Sequence, residues 1–251
     1  IEEELKQVLK IVGVPREAIR TKDVGDNWRK PGQDFLVSKS FDVTLRDFTL
    51  IDEILKRVDK ADTVLIGPGL GRCDDVSEVV ESVLEYSKVP VIIDADGINA
   101  VAENMKALSS CTCPVIFTPH TVEMSRLTGL EREYIEDNRL VTAKEFAEEN
   151  GVTLILKGHH TIVTGQDGEQ YINITGNSGL ATGGSGDVLA GTVASLVSRG
   201  INETVASAMA VYIHGLAGDI AKDKYGIESV TASKVMECIP CALRQILQVE
   251  N

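Results

Sequence analysis

The feature that most constrains the fold is a regular alternation, from about residue 60, of short β-branched runs with segments of helical pattern. The runs lie at 63–66, 89–93, 114–117 and 152–156. Strands that alternate with helices predict βαβ units and a parallel sheet. Aromatic residues make up only 4% of the chain, and aliphatic residues with glycine dominate, which is typical of parallel strands covered by helices on both faces.

The pattern changes after residue 156. Two β-type runs, 161–164 and 170–174, flank Gly165-Gln-Asp-Gly168 and predict an antiparallel hairpin at an edge of the sheet. Helices are predicted at about 50–58, 187–199, 202–222 and 231–247, with the apolar stretch 205–213 buried. Nearer the start, we predict a helix at 2–12 and a polar surface loop at 21–33. The fold class is therefore α/β, and a length of 251 residues favours one domain spanning 1–251.

Charge limits the partners of the chain. The net charge of −13 repels phosphate, so diffuse binding to nucleic acid or to an anionic membrane is not expected. No signal-peptide pattern is present, and no apolar run approaches the roughly 20 residues of a membrane span. Any phosphate site must be local and built from backbone N–H groups.

The five cysteines are too few and too scattered for a disulfide scaffold, and their odd number fits a reducing, cytoplasmic location. The pairs Cys111–Cys113 and Cys238–Cys241 resemble halves of a zinc site. Neither pair has the knuckle glycine or the nearby histidine that would strengthen this interpretation, so zinc is disfavoured.

The stretch GNSGLATGGSGDVLAG at 176–191 contains six glycines and one ionisable side chain, Asp187. Glycines let successive N–H groups converge on an anion, and the helix predicted to begin near Asp187 adds the positive end of its dipole. Asp187 could then act as a base beside a bound phosphate, or it could merely cap its helix. Neither a Walker A motif nor GxGxxG occurs, which disfavours an ordinary P-loop or dinucleotide fold.

Other polar groups follow the predicted strands, where ligands of open α/β sheets gather. Gly67-Pro-Gly69-Leu-Gly71 would permit close approach of a ligand or form only a tight turn. Asp94-Ala-Asp96-Gly-Ile-Asn99 could orient a substrate or cap the next helix.

Two further segments allow alternatives. Glu123, about one helical turn from His120, could hold a water-bound magnesium ion or only stabilise the first turn of its helix, and a capping box from His120 is not expected. Lys157-Gly-His-His-Thr161 could wrap a nucleotide or be a polar connector. His159 and His160 are expected to point in opposite directions and not to share a metal. His214, in the apolar helix, is expected to be a core histidine with its hydrogen bonds satisfied.

With these sites in this order, the chain resembles the ADP/ATP-dependent NAD(P)H-hydrate dehydratases, a branch of the ribokinase-like superfamily. The resemblance covers residues 34–247. It rests on IGPGLG at 66–71, VIIDADGIN at 91–99, TPHTVEMSRLTG at 118–129, LKGHHTIV at 156–163 and GNSGLATGGSGDVLAG at 176–191, with weaker matches HGLAGD at 214–219 and TASKVMECIPCAL at 231–243.

The resemblance implies a three-layer αβα ribokinase-like fold and a repair enzyme. Such an enzyme phosphorylates the 6-hydroxyl of hydrated NADH or NADPH (NADHX, NADPHX) and then eliminates phosphate. The resemblance implies a catalytic base at Asp187, a magnesium-associated carboxylate at Glu123 and two sets of binding residues. The implied substrate contacts are Gly69, Gly71, His120 and Asp187. The implied nucleotide contacts are Lys157, Gly158, His159, His160, Thr161, Gly184, Ser185 and Gly186. It further implies Mg²⁺, a homo-oligomer (a tetramer) and, from the GLATGGSGD wording, ADP more than ATP as donor.

The family's opening lysine-glycine turn, its first strand with a Gly-Gly-Ser loop and its small-residue helix are not recognisable before residue 34. Residues 1–33 therefore diverge from the family. Two alternatives to the dehydratase remain open at this point: a small-molecule kinase of the same fold, acting on a vitamin precursor or a sugar, and a nucleotide-binding protein without catalysis.

Overall fold

The computed structural model describes residues 48–248, and the side chains of 51–247. The helix predicted at 2–12 and the loop predicted at 21–33 lie outside the described residues. The ten helices of the described part are α1 Phe48–Val58, α2 Asp74–Tyr86, α3 Asp96–Glu103, α4 Ala107–Ser110, α5 Thr121–Thr128, α6 Arg132–Asp137, α7 Arg139–Asn150, α8 Ser185–Val197, α9 Glu203–Tyr225 and α10 Ala232–Gln248. The strands are β1 Val64–Ile66, β2 Val91–Ile93, β3 Val115–Phe117, β4 Thr153–Leu156, β5 Ile162–Thr164 and β6 Gln170–Ile172. Two short 3₁₀ turns, Ser178–Leu180 and Ile227–Ser229, complete these elements.

These strands form one six-stranded sheet in the order β1-β2-β3-β4-β5-β6. The first four pair in parallel, with Ile66 opposite Ile93 and Ile93 opposite Phe117. The last two pair antiparallel, with Ile155 opposite Val163. The predicted parallel sheet with an antiparallel hairpin at its edge is therefore confirmed.

The two faces of the sheet are covered by different helices. Successive strand residues point to opposite faces. Ile92, Ile116 and Ile155 pack with α8 and α9, whereas their neighbours Ile93 and Phe117 pack with α2 to α7. All five side chains are fully buried. This arrangement is the three-layer αβα fold.

The topology explains this division of the helices. Right-handed crossovers between strands that follow one another across a sheet place every connecting helix on the same face. The opposite face would stay exposed, and the helices that follow the last strand cover it. Small residues such as Ala194, Ala206 and Ala210 permit close packing of α8 and α9 there.

Helix α9 is only partly buried, in contrast to the prediction for 205–213. Ala206, Ala210 and Ile213 are buried, while Val205 and Met209 are each more than 40% exposed. The helix is also long and apolar enough to cross a membrane by length and composition alone, although the sequence offered no such span. Its most apolar window is 56% buried inside the protein, between α8 and α10, which is the behaviour of a core helix.

The loops after β1 and β2 are in direct contact. Gly67 has φ = +130°, and a Cβ there would overlap the carbonyl oxygen of Asp94. A Cβ at Gly97 would lie 2.9 Å from the carbonyl oxygen of Ile66. Both glycines are therefore needed for close approach, and they bring the two carboxyl ends of the strands together.

Candidate active site

Asp94 is the buried centre of the carboxyl edge of the sheet. It follows β2 directly, and its side chain is 2% exposed. The Thr118 hydroxyl, just beyond β3, donates a hydrogen bond of 2.6 Å to Asp94 Oδ1. The ammonium group of Lys157, just beyond β4, lies 2.9 Å from the same oxygen. Three parallel strands thus each contribute one polar side chain to one cluster.

Asp94 does not cap helix α3, contrary to one of the two interpretations of the Asp94–Asn99 segment. The N-cap of α3 is Ala95, which makes no side-chain capping bond. Asp96 Oδ2 accepts a hydrogen bond of 2.9 Å from the backbone N–H of Gly71. Asp96 therefore fixes the loop that contains Gly69 and Gly71, and both glycines lie at the surface.

Lys157 bridges two carboxylates. Its Nζ lies 2.9 Å from Asp94 and 3.7 Å from Glu123 Oε2, and its side chain is 20% exposed. Glu123 is buried. Buried groups stay charged when they are paired with an opposite charge. The Lys157 ammonium therefore pairs with both carboxylates at this edge of the sheet.

His120 and Glu123 form a capping box at the start of α5, contrary to the prediction. His120 Nδ1 accepts hydrogen bonds from the N–H groups of Val122 and Glu123, and the Glu123 carboxylate accepts one of 2.8 Å from the His120 N–H. An imidazole nitrogen can replace the Ser or Thr oxygen of the usual box because both are acceptors. Burial lowers the pKa of His120, so the ring is neutral at pH 7, and its Nε2 lies 3.5 Å from Glu123 Oε1.

The predicted anion cradle lies at the start of α8. The helix begins at Ser185, after Gly184 at φ = +83°. Gly184 makes no side-chain capping bond, and Asp187 is the third residue of the helix, so Asp187 is not its cap. A Cβ built on Gly186 would lie 3.6 Å from Lys157 Nζ, which places the cradle next to the ion-paired cluster.

Asp187 is half-buried beside this cluster. Its pKa is raised from 3.8 to about 6, mainly by burial and also by the negative charge of Asp94, while the Lys157 ammonium opposes both. A carboxylate with this pKa is a stronger base than an ordinary aspartate and is still mostly ionised at pH 7. Perturbed carboxylates of this kind are typical of functional sites.

Helix α9 holds the glycine-rich loop in place. Asp219 accepts hydrogen bonds from the Gly176 N–H (2.8 Å) and from the Asn177 side-chain amide (2.9 Å). Five residues earlier on the same helix, the buried His214 lies 3.2 Å from the Ser185 hydroxyl. Burial lowers the pKa of His214 to about 4, which confirms the prediction of a core histidine with a hydrogen-bonding partner.

The Lys157–Thr161 segment is a tight turn on the surface. The Thr161 hydroxyl donates to the Gly158 carbonyl at 3.0 Å, and the Lys157 N–H donates to the Pro119 carbonyl at 2.8 Å. The rings of His159 and His160 lie side by side, with centroids 3.9 Å apart. The prediction that they point apart is wrong because they occupy a turn, with His160 at φ = +55°, and not a strand.

The described residues 48–248 contain no group of three or more His, Cys, Asp or Glu side chains that could hold a metal. The Glu123 carboxylate is also engaged by the His120 N–H and by Lys157. Magnesium usually keeps several waters and is bound by one or two carboxylates together with phosphates. The residues present therefore fit a magnesium ion that arrives with a nucleotide, and not one held by the protein alone.

Several members of the cluster were not recognised as site residues from the sequence. Thr118 and Asp219 appeared only as letters within matched stretches. Asp94 was considered only as part of the Asp94–Asn99 segment, which could orient a substrate or cap a helix. A polar residue immediately after a buried strand was the available signal for Asp94 and Thr118. Nothing local marks Asp219, which reaches its partners from 43 residues away.

The sheet and the glycine cradle at its carboxyl edge define a ribokinase-like protein. The chain is similar to the structure of a ribokinase-like superfamily protein from Enterococcus faecalis, with 31% identity, a TM-score of 0.67, and coverage of 80% of this chain and 68% of that one. It is also similar to the ADP/ATP-dependent NAD(P)H-hydrate dehydratase from Bacillus subtilis, co-crystallised with ATP/Mg²⁺. That match has 30% identity and a TM-score of 0.65, and it covers 76% of this chain and 69% of the other.

The sequence comparisons place the chain more narrowly. A family model described as NAD(P)H-hydrate dehydratase matches residues 36–241. The bifunctional NAD(P)H-hydrate repair enzyme Nnr of Moorella thermoacetica is 39% identical over 196 residues. This alignment covers 78% of the present chain and 37% of the relative, so the chain spans little more than a third of that enzyme. The chain belongs to the NAD(P)H-hydrate dehydratase family.

Proposed function

We propose that this chain restores NADH or NADPH from the hydrated forms NADHX and NADPHX, using ADP or ATP to phosphorylate the 6-hydroxyl before phosphate is eliminated. One observation carries the proposal. The half-buried carboxyl group of Asp187, with its pKa raised to about 6, lies in the first turn of α8, directly behind the cradle glycines. Family membership supports the choice of substrate.

Asp187 supplies the base. Its carboxylate takes the proton from the substrate hydroxyl, and the oxygen attacks the terminal phosphoryl group of the nucleotide. Attack breaks the bond to the bridging oxygen and releases AMP from ADP, or ADP from ATP. The C–O bond of the phosphorylated intermediate then breaks, phosphate leaves, and the nitrogen lone pair restores the ring double bond with loss of a proton. Phosphorylation is required because hydroxide is a poor leaving group.

The cradle and Lys157 stabilise the transferred group. The backbone N–H groups of Gly184 and Gly186, at the start of α8, present the positive end of the helix dipole to an anion. The Ser185 N–H donates to the Thr182 carbonyl, so Ser185 contributes through its place in this turn. The Lys157 ammonium lies next to Gly186 and balances charge that develops on the phosphoryl oxygens. Its side chain therefore serves the transferred phosphate, while the Gly158–Thr161 backbone contacts the rest of the nucleotide.

The substrate and the metal fit the remaining residues. Gly69 and Gly71 offer exposed backbone for close approach, and neutral His120 offers a half-exposed ring. Glu123 would contact the waters of a magnesium ion brought by the nucleotide. Magnesium supplies charge neutralisation on the phosphates, and the reaction steps assigned above belong to the chain's own residues.

We also propose a homo-oligomer, with the tetramer as the expected form, working in the cytoplasm without a nucleic acid or membrane partner. Exposed apolar side chains of the hairpin edge and of α9 line one groove: Tyr171, Ile172, Ile174 and Tyr212, with Ile174 80% exposed. Such patches on a surface commonly mark contacts between subunits. Light scattering after gel filtration measures the mass directly, and a monomer at all concentrations contradicts this assembly.

The reaction is tested by supplying purified NADHX with magnesium and ADP, ATP or no nucleotide. Recovery of the near-ultraviolet absorbance of reduced nicotinamide is recorded, and phosphate and nucleotide products are quantified from the same samples. We expect recovery only with nucleotide, with one phosphate and one AMP or ADP released for each NADH formed.

Two other outcomes point to the alternatives. Phosphate transfer to a vitamin precursor or sugar without action on NADHX supports the small-molecule kinase. Bound nucleotide without turnover of any substrate supports the non-catalytic binding protein. Recovery that is independent of nucleotide contradicts the phosphorylation step itself.

A further inference from the structure

Two cysteines that the proposed reaction does not use lie together at the amino-end edge of the sheet, opposite the candidate active site. Cys111 ends helix α4, and Cys113 lies two residues before β3 begins, so both are at the amino end of that strand. Their sulfur atoms are 3.2 Å apart, and Cys111 Sγ also lies 3.5 Å from the Cys113 carbonyl oxygen. Both side chains are partly exposed and rest against the core on one side.

The other cysteines differ from this pair. Cys73 is exposed, and Cys238 is buried within the α9–α10 core. Cys241 lies 3.2 Å from the Arg244 guanidinium. Among the described residues, only Cys111 and Cys113 combine solvent access with a second thiol within reach of the first.

We propose that Cys111 and Cys113 are a reversible modification site, at which a low-molecular-weight disulfide such as oxidised glutathione converts the two thiols into an intramolecular disulfide. The Cys111 thiolate attacks one sulfur of the oxidant and releases one glutathione thiolate. The Cys113 thiol then loses its proton and attacks the Cys111 sulfur, releasing the second glutathione. Two protein thiols are oxidised, one glutathione disulfide is reduced to two thiols, and the protons pass to the released thiolates.

The order of attack follows from the environment of each sulfur. The hydrogen bond from Cys113 lowers the pKa of Cys111 to about 7, although burial opposes this. The same hydrogen bond, together with burial, raises the pKa of Cys113. A thiolate near ambient pH is the effective nucleophile, and an adjacent thiol resolves the mixed disulfide.

The site is separate from the candidate active centre. Strand β3 carries Thr118 and His120 beyond its carboxyl end, whereas the cysteine pair precedes its amino end. The peptide between Lys106 and Arg126 contains both cysteines of the pair and no other. The peptide 73–88, which trypsin also releases, contains Cys73 alone. Each thiol class can therefore be measured separately in one digest.

The test exposes the native full chain to excess oxidised glutathione, blocks remaining thiols by alkylation, digests with trypsin and analyses the peptides by mass spectrometry. We expect peptide 107–126 to lose two hydrogens without gaining glutathione or the alkyl group. Peptide 73–88 should gain one glutathione, because Cys73 has no resolving partner. Reducing agent should reverse both changes.

A Cys113→Ser variant isolates the first step. We expect its peptide 107–126 to carry one glutathione, trapped on Cys111. The proposal is overturned if the wild-type peptide keeps two alkylated thiols while Cys73 has reacted, or if it accumulates glutathione without forming the internal disulfide. These wild-type results decide the matter even if the variant folds poorly, which far-ultraviolet circular dichroism would show.

Discussion

Replacing Asp94 with asparagine should destabilise the fold substantially. Asparagine keeps the size of the side chain and an acceptor for the Thr118 hydroxyl, but it removes the charge that pairs with Lys157 at 2.9 Å. Removing one partner of a buried ion pair costs ~3–5 kcal/mol because the other charge is left uncompensated. Here the Lys157 ammonium keeps Glu123 at 3.7 Å and is 20% exposed, so part of that cost is relieved.

We therefore expect the free energy of unfolding to fall by about 2–3 kcal/mol, below the cost of a fully buried pair. For a domain of this size, the melting temperature should fall by roughly 5–10 °C. Urea-induced equilibrium unfolding, followed by circular dichroism, measures the change. Asp223→Asn is the matched control, because Asp223 is 76% exposed on α9 and its loss should change stability by less than ~0.5 kcal/mol.

The double variant Asp94→Asn/Lys157→Met separates charge from shape. Lys157→Met removes the ammonium that Asp94→Asn leaves without its main partner, although it also takes the cation from buried Glu123. We therefore expect the loss in the double variant to be at least ~1 kcal/mol smaller than the sum of the two single losses. Two results would contradict a stabilising pair between Asp94 and Lys157: an Asp94→Asn variant within ~0.5 kcal/mol of wild type, or a double variant in which the two losses simply add.

Three further predictions follow from the same region. Asp187→Asn should stabilise the protein at pH 8 by roughly 1 kcal/mol and little at pH 4. The folded-state pKa of Asp187 is raised from 3.8 to about 6, so the wild-type protein loses stability as the pH rises through this range and the variant does not. The loss is ~3 kcal/mol for a fully buried group and smaller for a half-exposed one. Urea unfolding at both pH values checks this, and a variant less stable at pH 8 contradicts it. The pKa of His214 is lowered from 6.5 to about 4, so the unfolded chain takes up this proton first, and wild-type stability should fall by up to ~3 kcal/mol as pH falls through that window. Between pH 7 and pH 4.5, the free energy of unfolding should fall less in His214→Gln than in wild type. An equal fall in the two proteins would show that another group causes the acid sensitivity. Gly67→Ala should cost at least ~2 kcal/mol in thermal and urea unfolding, since φ is +130° and the methyl group meets the Asp94 carbonyl, whereas Gly69→Ala, with nothing within 4 Å, should lose only ~1 kcal/mol. Equal losses at the two glycines would remove the argument for close approach.

The order of the strands could be predicted from the sequence because hydrophobic runs alternate with helical segments. Run 89–93 was predicted as a strand, and the paired residues are Val91–Ile93. Val89 and Pro90 share its composition but lie before the ladder begins. Helix α8 begins at Ser185, two residues before the predicted start at Asp187. The start was misplaced because a glycine-rich sequence does not show where helical backbone begins. Composition thus predicts which segments form elements, and hydrogen bonding decides where they end.

The Asp94–Lys157 pair could not be predicted. Its members are 63 residues apart, and only the parallel order of β2, β3 and β4 brings their carboxyl ends together. The His120 capping box was missed because imidazole is an uncommon cap, although Glu three residues later is the usual partner. Long-range charge pairing and unusual cap chemistry depend on the assembled sheet, and a local pattern contains neither.

In the proposed reaction, Asp187 removes the proton from the substrate hydroxyl. The most direct test is the turnover rate of NADHX with saturating nucleotide and magnesium, measured for wild type, Asp187→Asn and the exposed control Asp223→Asn. We expect a loss of about 10²–10⁴-fold in kcat for Asp187→Asn, with nucleotide binding retained, and no loss for Asp223→Asn. Turnover by Asp187→Asn within a few-fold of wild type would contradict it.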